Sequence, residues 1–120
     1  MRSATAADRP VRELGAVTAE FAAAIPAVVV VLLCCLGGMQ VVGQQVRLQD
    51  AAAIAARSVA RGESEDTAAG RAQHLAPGAH LSTHTSGDLD CVTLEQRAAG
   101  PAGMLRLTLE ARSCALSGGQ

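Results

Sequence analysis

The sequence predicts an α+β fold, in which a long N-terminal helix is followed by a short helix and a small antiparallel sheet of two or three strands. Residues 21–39 are 19 consecutive residues without a charge, a length typical of a helix that spans a bilayer. Residues 105–112 instead alternate between apolar and polar side chains, as in a strand with one buried face. A Pro77-Gly78 pair marks a turn between these segments.

The long helix contains the uncharged run. A cleavable secretory signal has an apolar stretch of about 7–15 residues and then a small-residue site, whereas this run is longer, so we predict a retained transmembrane helix over residues 16–46. Apolar residues recur at helical spacing after Arg47, at Leu48, Ala52, Ala55 and Val59. The helix is therefore expected to extend outward as a stalk over residues 47–62. Two helices joined near Gly43 are the alternative.

The remaining residues, 63–120, are expected to form a small α+β tail. They contain no Phe, Trp or Tyr, so the core should be thin. A helix is predicted from Glu63 or Ser64 to Leu75, with acids in its first turn. Three segments are candidate strands: residues 80–85, 91–95 and 105–112.

Cys91 and Cys114 in the tail are a candidate disulfide, which would help a thin core. Pairing Val92 with Leu107 gives the better apolar match but leaves the cysteines about 20 Å apart along the strands. Pairing Cys91 with Cys114 instead places Glu95 opposite Glu110, which is unfavourable. Both registers remain open at this point.

Charge and composition argue against several classes of function. The net charge of −1 does not suit a nucleic-acid interface. His80 and His84 would share one face of a strand, and a metal site can be drawn with Asp88, Asp90 and Cys91 nearby. Polar loop residues explain this group better, because no second ligand pair has a recognisable spacing. We therefore predict no metal, no cofactor, no small-molecule substrate and no enzymatic activity.

Arginine counts do not orient the predicted span, because three arginines precede it and three follow it: Arg2, Arg9, Arg12, Arg47, Arg57 and Arg61. The segment ahead of the run is more informative. Gly15 is followed by Ala16 and, at the fifth and sixth positions, by Glu20 and Phe21. A carboxylate at the entrance to a membrane helix is costly and needs a partner.

Cleavage after Gly15 would supply that partner, since the new α-amino group of Ala16 would be a cation about one helical turn from Glu20. In an assembly of parallel helices, Glu20 of one subunit could neutralise the amino terminus of its neighbour and set their axial stagger. The simpler interpretation is that Glu20 interacts with a helix N-terminus and that the glycine is incidental.

This junction resembles type IV prepilin-like proteins, and among them the TadE family of minor pilins, or pseudopilins, of tight-adherence (Flp) pilus systems. The resemblance is carried by Gly15, Ala16, Glu20 and Phe21, by the segment 17–22 and by Pro26. It extends less specifically to about Arg61 and Gly62. This chain departs from the family pattern at two places. The leader is only weakly positive, because Asp8 and Glu13 leave it with a net charge of plus one. Family members also commonly have Tyr where Phe21 stands, which is a conservative change.

The resemblance implies a leader over residues 1–15, cut on the cytoplasmic side by a prepilin peptidase. It also implies a single-pass protein of the cytoplasmic membrane, with residues 63–120 outside the cytoplasm or in a surface pilus. The implied partners are lipid, the peptidase and other pilin subunits. An unprocessed signal-anchored scaffold of a secretion complex and a secreted binding module are the alternatives.

Overall fold

A computed structural model describes the backbone of residues 9–118 and the side chains of residues 15–118. Residues 1–8 of the predicted leader lie outside this range. The elements, in chain order, are α1 (Arg9–Ala60), α2 (Glu65–Leu75), β1 (His80–Ser86), β2 (Leu89–Arg97), α3 (Pro101–Met104) and β3 (Thr108–Leu116). The predicted α+β class is confirmed. The chain divides into two compact units at Leu36 and Gly37.

In the described residues, the N-terminal unit consists of the first part of α1. Within the described residues, one helix is long and apolar enough to cross a membrane, and its most apolar window has no buried residue. The helix begins at Arg9, ahead of the predicted start at Ala16. Pro26 therefore lies well inside α1, where its missing N–H leaves the carbonyl of Ala22 without the usual helical donor.

The C-terminal unit, Gly37–Gln120, contains the rest of α1 and the predicted tail. Helix α1 is continuous through Gly43, so the predicted alternative of two helices is wrong. It ends at Ala60, slightly before the predicted Gly62, because Gly62 adopts a left-handed conformation (φ 84°). The Gly62 N–H donates to Val59 O (2.9 Å) and the Glu63 N–H to Ser58 O (3.1 Å), a Schellman cap.

Helix α2 has the predicted N-terminal signals. The Ser64 hydroxyl accepts from the Thr67 N–H at 3.2 Å, and Glu65 and Asp66 occupy the first turn, where carboxylates favour the helix dipole. The Arg71 guanidinium joins α2 to the end of α1, since it donates to Ser58 Oγ (3.3 Å) and pairs with Glu63 (3.2 Å).

The sheet is antiparallel, with strand order β1-β2-β3. Strand β3 begins at Thr108, so the prediction that residues 105–107 belong to it is wrong. The reason is local: Pro101 starts a turn of helix, Arg106 takes a positive φ (56°), and the chain rejoins β2 where the Ala98 N–H donates to Leu107 O (2.9 Å). Residues 105 and 107 therefore lie in the β2–β3 connection.

The core of the C-terminal unit lies where α1 and α2 pack against one face of the sheet. Its largest fully buried apolar side chains are Leu48, Val92 and Leu94. The rest are small, so the helices and the sheet pack closely: Ala51, Ala52, Ala55, Ala56, Ala68, Ala72, Ala76, Ala79 and Ala111. The predicted stalk segment, residues 47–62, thus supplies much of the core of its own unit.

Candidate processing and assembly site

The junction that carries the predicted processing site lies within α1. Gly15, Ala16, Glu20 and Phe21 are all exposed in the chain, and Phe21 keeps 65% of its surface. Ala16 and Glu20 are four residues apart, so they lie on the same side of the helix about one turn, or roughly 6 Å, from each other. If Ala16 of one copy paired with Glu20 of a neighbouring parallel copy, the two helices would be displaced along their axes by about this distance.

Glu20 stands out electrostatically because of the sequence around it. Between Gly15 and Val46 it is the only charged residue. The ion pairs within residues 15–118 join Glu63 to Arg61 and to Arg71, and neither involves Glu20. In the uncut chain, position 16 has an amide rather than an ammonium group, so the proposed cation exists only after cleavage.

The side chains that follow Glu20 surround α1 with apolar surface. Val28 is 56% exposed, Leu33 is 61% exposed, and the thiols of Cys34 and Cys35 are free and exposed. An added Cβ at Gly37 or Gly38 would meet nothing within 4 Å. All of this surface is available for contact with lipid or with another helix.

Cys91 and Cys114 form a disulfide in the structure, with Cα atoms 4.0 Å apart. They are direct partners across β2 and β3, and the same register places Glu95 opposite Glu110. Of the two registers left open by the sequence, this is the one that pairs the cysteines. Val92 lies opposite Ser113, and Leu94 lies opposite Ala111. Both side chains pack in the core with the helices, whereas the predicted apolar partners, Leu105 and Leu107, lie in the β2–β3 connection.

Glutamines on α1 bind the sheet, a role that was not predicted from the sequence. Gln45 Nε2 donates to Glu110 O (2.8 Å) and Gln49 Nε2 to Arg112 O (3.0 Å), so both cap carbonyls of β3, an edge strand. Gln44 donates to Gln96 Oε1 (2.9 Å) and to Arg97 O (2.8 Å) and accepts from the Ala99 N–H (2.7 Å). Gln45 and Gln49 are four residues apart and so share one face of α1, but the sequence does not indicate which carbonyls they bind.

The residues considered for a metal site are distributed over the sheet. Cys91 is used in the disulfide, and Asp90 accepts hydrogen bonds from Thr85 Oγ1 (3.2 Å) and Ser117 Oγ (2.9 Å). His80 and His84 lie on exposed positions of β1, opposite Glu95 and Cys91. Within the described part of the chain, no group of three or more His, Cys, Asp or Glu side chains is arranged to hold a metal ion.

Comparisons with protein-family models, with curated proteins and with solved structures found no match to this chain.

Proposed function

We propose that this protein is a structural or assembly subunit of the minor-pilin or pseudopilin type, anchored by α1 and processed after Gly15. The observation that carries the proposal is the single carboxylate of Glu20 at the start of an otherwise uncharged segment that runs to Val46. An unpaired carboxylate at this depth is costly. Its position is best explained by a cation that arrives when the chain is cut.

Removal of residues 1–15 would take away all arginines that precede the span. The first arginine that remains in the sequence is Arg47, which follows the whole uncharged run after Glu20. The α-amino group of Ala16 would then be the cation close to Glu20. A pair between Glu20 of one subunit and Ala16 of the next would neutralise both groups and fix the axial stagger of parallel helices.

The exposed apolar surface of residues 21–36 supports the same proposal. It would be covered by lipid before assembly and partly by other subunits afterwards. Small side chains at Ala22, Ala23 and Ala24 would allow close helix contact near the proposed charge pair. The partners proposed are therefore membrane lipid, a prepilin peptidase and other pilin-type subunits.

Mass spectrometry of the N-terminus in native membranes tests the processing step. The proposal expects a mature chain that begins at Ala16. A retained Met1 or Arg2 would support the signal-anchored scaffold, and a cut beyond the apolar run with a free tail would support the secreted module.

Substitution of the two glycines separates processing from folding. An added Cβ meets nothing within 4 Å at Gly15 or at Gly38, so the two positions are matched sites for a side chain. We expect Gly15→Leu to accumulate as full-length protein and Gly38→Leu to be cut as in the wild type. Normal cutting of Gly15→Leu would contradict the proposed site.

The charge of Glu20 is tested with Glu20→Gln, which keeps the shape of the side chain. This variant is expected to insert in the membrane and be cut, yet to lose incorporation into the assembly, as measured by chemical cross-linking between subunits. Glu65→Gln, which changes an exposed acid of α2, is the matched control. Wild-type cross-linking of Glu20→Gln would overturn the charge-pair mechanism.

A further inference from the structure

The connection between β2 and β3 exposes large apolar side chains. Met104 is 89% exposed, Leu105 is 74% exposed and Leu107 is 48% exposed. Met104 and Leu105 are the most exposed large apolar residues between positions 47 and 118. Such side chains next to one another on a surface mark a contact with a partner.

Contacts with α1 show at which end of the C-terminal unit this connection lies. The Ala99 N–H donates to Gln44 Oε1 (2.7 Å), and a Cβ added to Gly100 would meet Gln40 Oε1 at 2.8 Å. The residues before Met104 are therefore held against positions 40–44 of α1.

The direction of β3 leads to the same conclusion. Gln45 binds the carbonyl of Glu110, Gln49 binds that of Arg112, and the Gly118 N–H donates to Ala60 O (2.9 Å). Strand β3 thus runs in the same direction as α1, and its start lies at the end of the unit where Gln40 is found. Leu116 lies at the opposite end of the strand.

Positions 40–46 of α1 are where a membrane helix would leave the bilayer. The helix carries no charge from Phe21 to Val46, then has Arg47, and Gln40, Gln44 and Gln45 bring polarity to the last turns. Uncharged polar side chains suit the headgroup region, and the first charge marks its outer side. The β2–β3 connection is tied to this level of the helix.

Charge at this end of the unit complements an anionic surface. Arg47, Arg97 and Arg106 are exposed, and there is no acid in residues 37–49 or in residues 96–109. The first acids on the two strands are Glu95 and Glu110. Exposed apolar side chains at the same end of a unit as exposed arginines are typical of a segment that lies in the interface of a membrane containing anionic lipid.

We propose that the β2–β3 connection inserts Met104 and Leu105 into the headgroup region of the bilayer, with Arg47, Arg97 and Arg106 binding anionic phosphates. This inference rests on the anchoring role of α1 in the proposed function but not on cleavage after Gly15. The C-terminal unit would then have two lipid contacts, the helix and the connection, and the second would restrict how the sheet turns about the helix axis.

Single-tryptophan variants of the full chain test this contact, because the chain has no Trp or Tyr. The variants are Leu105→Trp, Leu116→Trp and Val30→Trp, each reconstituted in vesicles of phosphatidylcholine with phosphatidylglycerol, in which bromines on the acyl chains act as quenchers. Trp at position 105 is expected to emit at shorter wavelength than Trp at position 116 and to be quenched by bromines close to the headgroups. Trp at position 30 should be quenched by bromines near the bilayer centre.

Failure of this inference and failure of the anchor give different results. Deep quenching at position 30 with no quenching at position 105 would overturn the second lipid contact and leave the proposed function standing. A blue shift at position 105 without quenching would also overturn it, in favour of a contact between subunits. An unquenched position 30 would overturn both proposals.

The arginines have their own test. Arg106→Asn keeps a residue that tolerates the positive φ of position 106 while removing the charge. Combined with Arg47→Gln and Arg97→Gln, it should reduce quenching at position 105 in vesicles with phosphatidylglycerol to the level seen in phosphatidylcholine alone. Unchanged quenching would overturn the role of the arginines.

Discussion

The part of α1 before Gly37 and the unit that begins at Gly37 differ in where their apolar side chains lie. In the first, Val28 and Leu33 keep more than half of their surface exposed, and the most apolar window of the helix buries nothing. In the second, Leu48, Val92 and Leu94 are fully buried. The first region needs lipid or other chains to cover it, whereas the second covers its own core.

The core of the second region is nevertheless small. Most of its buried side chains are alanines, each of which removes little apolar area from water. A small core leaves a narrow margin over the conformational entropy of the chain. Each large side chain, the disulfide and each contact of a glutamine with β3 should therefore have a measurable effect on unfolding, while changes in the first region should have none.

The largest difference is expected from a matched pair of leucine substitutions. Leu94→Ala removes a fully buried side chain and should lower the free energy of unfolding of the C-terminal unit by about 4 kcal/mol. Leu33→Ala, in the exposed apolar run, should leave that free energy unchanged. Denaturant unfolding of the full chain in detergent micelles measures both, and equal effects would contradict the separation of the two regions.

The next effect concerns the cysteines. The disulfide closes a loop with a sequence separation of 23, so replacing Cys91 and Cys114 by Ser should cost about 3.5 kcal/mol on the chain-entropy estimate. Cys34→Ser with Cys35→Ser is the control, since those thiols are free and exposed. The midpoint of unfolding should fall only for the first pair, and a fall for both would indicate that α1 and the tail unfold together.

The smallest effect is expected from the glutamines that cap β3. Gln45→Ala and Gln49→Ala each remove one hydrogen bond to a strand carbonyl and should each cost about 1 kcal/mol. Asp50→Ala, an exposed change on the same helix, is the control. Hydrogen exchange of the β3 amides provides a local readout, and unchanged exchange in the double variant would show that α1 does not hold this edge.

Much of the fold follows from local patterns. The uncharged run predicts the long helix, and Ser64, Glu65 and Asp66 predict the start of α2, because capping and dipole interactions act within one turn. The prediction fails at the start of β3. There, Leu105 and Leu107 continue a period of two, but Pro101 and the positive φ of Arg106 take the chain out of the sheet.

The proposed site divides in the same way. The prediction for Gly15, Ala16, Glu20 and Phe21 rests on their spacing in the sequence, because a processing junction would be a local arrangement of neighbouring residues. The contacts of Gln44, Gln45 and Gln49 with the strands were not predicted, since a glutamine on a helix gives no sign of which distant carbonyl it will meet.

The sequence by itself determined the extent of the uncharged run, the single carboxylate at its start and the type of most elements, because these depend on composition, on periodicity and on neighbours within a few residues. Only the tertiary structure decided the register of β2 and β3. Apolar matching with Leu105 and Leu107 competed with pairing of the cysteines, and the observed register pairs Cys91 with Cys114. In this register Val92 and Leu94 are buried with the alanines of the helices, and the leucines of the connection stay exposed, because partners distant in the sequence supply the apolar contacts.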